Sequence, residues 1–323
     1  MRVPKFLLLS CAAVVIATVA HASTPAAVPA VAASPAPAPV PLLWKVSDAD
    51  NSVYLLGSFH LLKPDDYPLS KDVDAAFADA ESLVFEMSPE EMASPALAMQ
   101  MGQAALRMDG TRLDGELPPA MAKKLDAWLA ANDADLQKTG LPPQMLQLFE
   151  PWFVGLTISI VEMTRQGLDP KLGLDKHFAT EAKAAGKPTA GFETGAQQIA
   201  FLDGMDMDEQ LQFLDEALGE SDAGRQEVEK LHAAWRAGDT ATLWNGMAAD
   251  MRRQYPKLYR HINVERNDVW LPKIEQRLQA TGSDDTLVVV GALHLLGSDG
   301  VVEKLRARGY KVERLCSTCK TTK

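Results

Sequence analysis

Histidine follows glycine at the same interval twice in this chain, once near each end. Val53-Tyr54-Leu55-Leu56-Gly57-Ser58-Phe59-His60-Leu61-Leu62 and Val288-Val289-Val290-Gly291-Ala292-Leu293-His294-Leu295-Leu296 share one pattern. Each has a β-rich apolar run, a glycine, two residues, a histidine and then Leu-Leu. Each reads as a buried strand that stops at glycine and delivers an imidazole. The glycine is expected to let the backbone leave the strand through dihedrals closed to other residues, so that the next side chains aim into a cleft. Two carboxylates have comparable settings: Glu86 closes Ser82-Leu83-Val84-Phe85-Glu86, and Glu193 follows the short apolar run ending at Phe192.

Two imidazoles and two carboxylates meeting in one cleft suit two kinds of chemistry. Neutral His nitrogens and carboxylate oxygens are ordinary ligands of Zn, Mn, Fe or Co, and a site with an open position acidifies a bound water for attack on a carbonyl. The same groups also work without metal, one taking a proton from water and another protonating the leaving group. The spacing alone separates neither from the other. A single His or Glu after a strand is ordinarily structural. The repetition is what argues for a site, because ionisable groups set after buried strands are costly to desolvate unless they have partners or a task.

Other polar residues carry weaker signals. His177, His232 and His261 have charged helical neighbours and read as solvated, with His261 close enough to Arg266 for the rim of a site. Arg266 itself, between Glu265 and Asn267, reads by default as a surface helix charge. The sequence contains no His-Glu-x-x-His, no Gly-x-Ser-x-Gly elbow and no phosphate-binding glycine loop, which argues against zincins, elbow serine hydrolases and nucleotide-binding enzymes.

The elements that must position these groups follow an α/β rhythm. Pro68 to Ala80 is expected to be helical with Ser70 as its cap, and Leu83 to Glu86 a buried strand. From about 89 to 168 the chain is rich in Met, Ala and Leu at helical spacing, broken at Leu117-Pro118-Pro119 and Leu141-Pro142-Pro143, which predicts an all-helical insertion. Leu174 opens a helix ending at Gly186, a short strand leads to Glu193, and helices with breaks near Pro256 and Pro272 reach the second Gly-x-x-His strand. The expected fold is α/β, a central mixed sheet flanked by helices with pseudo-duplicated halves and the helical insertion. His60, Glu86, Glu193 and His294 all fall at strand ends, where ligands bind in open α/β sheets.

Composition bounds the class. The 323-residue chain has a net charge of −11, which argues against nucleic acid or an anionic membrane as its main partner. Arg2 and Lys5, an apolar stretch from Phe6 to Ala20 and Ala20-His21-Ala22 have the form of a cleavable signal peptide over 1–22. The mature protein is therefore expected to be secreted, in the periplasm, with no integral membrane segment. A Pro/Ala-rich stretch at 23–41 reads as a tether, and folded structure is expected over 42–314. In the tail at 315–323, Cys316 and Cys319 suit a small disulfide loop in an oxidising compartment better than redox or zinc chemistry.

Taken together, these motifs resemble the TraB/GumN family, which includes the Tiki proteases. The residues that carry the resemblance run from Leu43-Trp44-Lys45-Val46 and the first Gly-x-x-His through Leu83-Val84-Phe85-Glu86, Gly173-Leu174-Asp175 and Gly191-Phe192-Glu193-Thr194. They continue with Glu265-Arg266-Asn267, Val290-Gly291-Ala292-Leu293-His294 and Arg306-Ala307-Arg308-Gly309-Tyr310. The resemblance implies a fold similar to the erythromycin-esterase-like and ChaN-like proteins, and a metal-dependent hydrolase, a metallopeptidase acting on a peptide or protein substrate with Mn or Co; with the ligand chemistry above, the expected cofactor is a divalent Mn, Co or Zn ion. It implies His60 and His294 as metal ligands, Glu86 or Glu193 as third ligand or general base, and Arg266 as the group that polarises a carbonyl or stabilises an oxyanion. Two alternatives stay open beside it: a metal-free hydrolase in the manner of the esterase-like relatives, and a metal- or haem-binding protein without turnover. Tiki proteins are membrane-anchored, whereas this sequence shows a removable signal and a tether.

Overall fold

The computed structural model describes residues 37–219 and 221–319. The expected signal peptide, most of the expected tether and residues 320–323 lie outside the described residues. One mixed sheet organises the rest. Its strands are β1 (Leu43–Ser47), β2 (Ser52–Ser58), β3 (Ser82–Met87), β4 (Thr189–Glu193), β5 (Thr286–Gly291) and β6 (Lys311–Arg314), in the order β4-β3-β5-β2-β1-β6. The first four in that order run parallel, and β1 and β6 continue the sheet antiparallel. β2 and β5 are buried along their whole length, as continuous apolar runs must be when helices cover both sheet faces. β6 is short and charged, with Lys311 and Glu313 exposed, which suits a sheet edge.

The order has a direct bearing on function. β5, from the far end of the chain, lies between β2 and β3, with Leu55 opposite Val288 on one side and Val84 opposite Val288 on the other. The carboxyl ends of the four parallel strands therefore line up as Glu193, Glu86, the His294 segment and the His60 segment. The sheet-and-helix α/β architecture expected from the sequence is the one found.

Local sequence explains the helices that frame this row. Helix α1 (Lys71–Asp79) starts after Ser70, although the Ser70 side chain makes no capping bond. The expected insertion is helical, with α2 (Pro95–Ala105), α3 (Pro119–Thr139) and α4 (Pro151–Arg165) each starting on a proline, whose missing N–H is unneeded in a first turn. Helix α5 (Leu174–Ala185) ends at Gly186 in the left-handed conformation, φ 68°, where a Cβ would be strained. After β4 come α6 (Gly195–Asp203), α7 (Met207–Ala217) and α8 (Ser221–Arg236). A π-helical turn at Arg260–Val264 runs straight into α9 (Glu265–Leu278). The break expected at Pro272 does not occur: α9 continues through it, held by the buried Trp270, Leu271 and Ile274 on its inner side. The chain closes with α10 (Val301–Ala307), β6 and a disulfide between Cys316 and Cys319. Among the described residues no helix is long and apolar enough to cross a membrane.

His232 corrects one expectation. Far from being solvated, it is buried, and its Nε2 lies 2.8 Å from Asp66 Oδ2. Asp66, fully buried, also accepts from the Lys63 backbone N–H at 2.7 Å and from the Arg236 guanidinium, tying α8 to the segment after the first Gly-x-x-His. Burial alone would raise the Asp66 pKa, but these donors together hold it below the ordinary 3.8. A carboxylate whose folded pKa is depressed stabilises the fold above its unfolded pKa and loses that contribution as pH falls through the folded value. In urea denaturation at pH 6, Asp66→Asn is therefore expected to be less stable than wild type by about 1.5–3 kcal/mol. The gap should shrink below about pH 4; an unchanged gap in acid would remove the charge from this explanation.

Candidate active site

Neither Gly-x-x-His glycine has the dihedral task expected, and the first has a steric one instead. Neither Gly57 nor Gly291 has positive φ, and Gly291 (φ −50°, ψ 135°) is in a conformation open to any residue. At Gly57 the constraint is space: a Cβ there would meet Leu42 Cβ at 3.1 Å and Ala292 Cα at 3.3 Å. The two Gly-x-x-His segments thus pack on each other, Gly57 beneath Ala292, and this close approach brings the two imidazoles to one place. A one-turn helix, Ala292–Leu295, carries His294, which is fully buried.

A second close approach fixes His60. The chain entering α5 runs alongside the His60 segment: Leu62 exchanges backbone bonds with Asp169 at 3.3 and 2.8 Å, and Leu174 N–H donates to Phe59 O at 3.1 Å. At Gly173 a Cβ would lie 2.0 Å from His60 O, so no side chain is tolerated there. This docking sets Asp175 against the His60 ring, with Asp175 Oδ2 2.6 Å from His60 Nδ1 and Oδ1 accepting from Ser58 Oγ at 3.3 Å. A carboxylate only accepts, so Nδ1 carries the hydrogen and Nε2 faces inward. Nε2 is buried without a hydrogen-bond partner, 4.0 Å from Glu86 Oε1.

His294 is held in the same manner from another side. Its Nδ1 donates to Asn267 Oδ1 at 2.7 Å, and Asn267 is itself oriented by donating from Nδ2 to Asp299 O at 2.9 Å. His294 Nε2 therefore bears the lone pair. It lies 3.8 Å from Glu86 Oε1 and accepts from Arg266 Nη1 at 3.2 Å. Both inward nitrogens thus address one carboxylate oxygen, which also accepts from the Gly291 N–H at 2.8 Å.

Arg266 is the centre of the charge arrangement, 2% exposed, and so the opposite of a surface helix charge. Its Nε and Nη2 make a two-pronged bond to Glu193 Oε1 and Oε2 at 2.9 and 2.8 Å, and Nη2 also reaches Glu86 Oε2 at 2.7 Å. Planar guanidinium matches carboxylate in this way where ammonium does not. Glu193 further accepts from Trp270 Nε1 at 2.7 Å and Gln198 Nε2 at 3.3 Å, so both its oxygens are committed. Trp270 also stacks on Phe192, lies under Arg266 at 4.9 Å and touches the His294 ring at 4.3 Å between centroids. His261 stays outside, near Glu209 at 3.8 Å and edge-on to Phe201. His177 is half-buried against Tyr67 rather than solvated.

The protonation pattern is asymmetric. For His60, burial favours the neutral ring, but Asp175 and then Glu86 outweigh it and push the pKa up to about 9, so the ring is an imidazolium at neutral pH. For His294, burial, Arg266 and His60 all act downward, and the ring stays neutral. Burial raises Glu86 above the usual carboxylate range, and Arg266 and His60 offset part of that. Groups of one kind driven to opposite protonation states are what acid and base roles require.

The structure thus gathers all five residues singled out in sequence: His60, Glu86, Glu193, Arg266 and His294. It adds Asp175, Asn267, Trp270 and Gln198, which orient them. Asp175 and Asn267 stand within motifs that carry the family resemblance, Trp270 lies one helical turn from Arg266, and Gln198 had no signal. A cavity of about 1240 Å³ opens on this cluster through His60 and Asp175.

Residues 42–314 match the model of the TraB/PrgY/gumN family. The chain belongs to that family. The match spans the sheet from β1 to the end of β6, so every member of the cluster lies within the TraB/PrgY/gumN region. No curated protein and no solved structure matches the chain.

A divalent ion can be tested against these donors. As placed, no three His, Cys, Asp or Glu side chains among the described residues are gathered to hold one. The chemistry of the donor set nevertheless fits. The two imidazoles have their outer nitrogens fixed by oxygen acceptors, the arrangement that prepares histidine for a metal, and His60 Nε2 is a buried nitrogen with no hydrogen-bond partner. Binding would require Arg266 Nη1 to leave His294 Nε2 and the His60 ring to release its Nε2 proton, since only the neutral imidazole ligates a metal.

Proposed function

We propose that this TraB/PrgY/gumN protein is a metal-dependent hydrolase of peptide bonds, secreted to the periplasm, with its reaction centre at the buried cluster. The supporting observation is the convergence of His60 Nε2 and His294 Nε2 on Glu86 Oε1 at 4.0 and 3.8 Å, each ring anchored from behind. His60, His294 and Glu86 would hold a Mn, Co or Zn ion. Such an ion, when bound, acidifies a water and polarises a carbonyl. The chain's own residues supply the rest. Glu193, whose oxygens are committed, acts as the clamp that positions Arg266 and is not the third ligand. Arg266 keeps a fixed positive charge beside the place where an oxyanion develops, at no reorganisation cost during reaction. Asp175 and Asn267 hold the rings in the tautomers that present Nε2 inward.

A specific observation favours a second, metal-free reading. Arg266 Nη1 already donates to His294 Nε2, and His60 is held protonated. In that chemistry Glu86, its basicity raised by burial, takes a proton from the attacking water, and His60 donates one from Nε2 to the leaving group. Elemental analysis of protein purified without chelators, with calorimetric titration of Mn²⁺, Co²⁺ and Zn²⁺, separates the two. About one ion per chain, lost in His60→Ala/His294→Ala together with peptide cleavage, is the expected result. Cleavage that survives chelation with no ion bound would transfer the conclusion to the acid–base reading; absence of both binding and cleavage would end it.

A further inference from the structure

The cavity leading to His60 has a polarity that the cluster does not explain. On one side it is lined by Lys171, Lys176 and Lys183 from the turn before α5 and from α5 itself. All three are exposed, and among the described residues none of the three ammonium groups has an ion-pair or hydrogen-bond partner. A fourth lysine in the wall, Lys187, is committed to main-chain carbonyls of Phe77, Ala78 and Ala80. Two carboxylates also line the space. Asp175 is engaged by His60, and Glu90 at the rim accepts from Thr189 Oγ1 at 3.4 Å. The surface is therefore net positive on a chain whose overall charge is −11. Facing the lysines, the start of the helical insertion contributes an apolar wall that includes Met92, Leu97 and Ala98.

Size restricts the occupant further. At about 1240 Å³ the cavity exceeds the roughly 300–1,000 Å³ of ordinary small-molecule pockets. It runs from the insertion to His60, so a chain molecule lying in it would bring one bond to the cluster while its flanks stay between the two walls.

We propose that this groove is the substrate channel and that it selects extended acidic peptide segments. Glutamate or aspartate side chains meet Lys171, Lys176 and Lys183, and intervening apolar side chains meet the insertion wall. The inference rests on the peptidase reading above, and names the substrate class for that site. Like-charged peptides are rejected by the same lysines, which gives selectivity through charge more than through contact area.

The test uses the full mature chain carrying Glu86→Gln, a change outside the channel lining that prevents turnover of the probe. Two fluorescent ten-residue peptides are compared by anisotropy, one alternating Glu with Leu and Ala, the other with Lys in place of each Glu. The acidic peptide is expected to bind at least about ten-fold more tightly, with the advantage falling as salt is raised. Lys171→Glu/Lys176→Glu/Lys183→Glu should abolish or invert that preference. Lys71→Glu/Lys123→Glu/Lys138→Glu, which makes the same change in net charge away from the cavity, should leave it intact. Equal affinity for both peptides, no binding of the acidic one, or equal behaviour of the two triple variants overturns the proposal. Charge-selective binding without cleavage by wild type would instead overturn the peptidase reading alone. Cleavage indifferent to peptide charge would overturn the channel alone.

Discussion

Arg266→Ala is expected to cost about 3–5 kcal/mol of unfolding free energy, the penalty for removing one partner of a fully buried ion cluster. The side chain is the only guanidinium that both Glu86 and Glu193 contact among the described residues, and its loss leaves two carboxylates buried near each other. Against a typical domain stability of about 5–15 kcal/mol this is a large fraction, measurable as a lower urea midpoint. The origin of the effect can be checked by a second change. In the Arg266→Ala background, Glu193→Gln should restore part of the loss by removing one stranded charge; if it adds its own destabilisation instead, the account in terms of uncompensated charge is wrong.

Glu86→Gln is expected to behave in the opposite way, lowering peptide hydrolysis by about 10²–10⁴-fold while the fold survives. Glu86 is the carboxylate that both inward imidazole nitrogens face, so either chemistry proposed for the site loses its central oxygen donor or its base. Stability should change by no more than about 1 kcal/mol, because burial already favours the uncharged form and the amide oxygen can still accept from Gly291 N–H or Arg266. The paired readout is kcat alongside the urea midpoint. Hydrolysis retained at wild-type level in a folded Glu86→Gln protein would place the reaction elsewhere in the molecule.

These expectations show what the sequence could and could not convey. The parallel strands were legible because they are continuous apolar runs ending in glycine or a carboxylate, and their ends located His60, Glu86, Glu193 and His294. Helix α5 was legible at both ends, from Leu174 to the left-handed Gly186. The antiparallel β6 was not, since its four residues are mostly charged and acquire strand structure from pairing with β1. Arg266 looked like a solvated helix charge because its two carboxylate partners are 73 and 180 residues away. Only the resemblance to TraB/GumN proteins placed it at the site. Asp175 was visible as part of a motif, but its role depends on Gly173 packing against the His60 backbone, a contact with no trace in local composition. His232 misled for a similar reason, its partner Asp66 lying 166 residues earlier.

The position of β5 between β2 and β3 has a consequence for how this protein comes into being. Until residues 286–291 have been synthesised and inserted, the strand that delivers His60 has no hydrogen-bonded link through the sheet to the strand that bears Glu86. His294 is absent for as long. A growing or truncated polypeptide that stops short of this point lacks the completed cluster, because pairings so distant along the chain form late. The topology itself thus leaves the five-residue cluster unassembled in every copy that ends before β5.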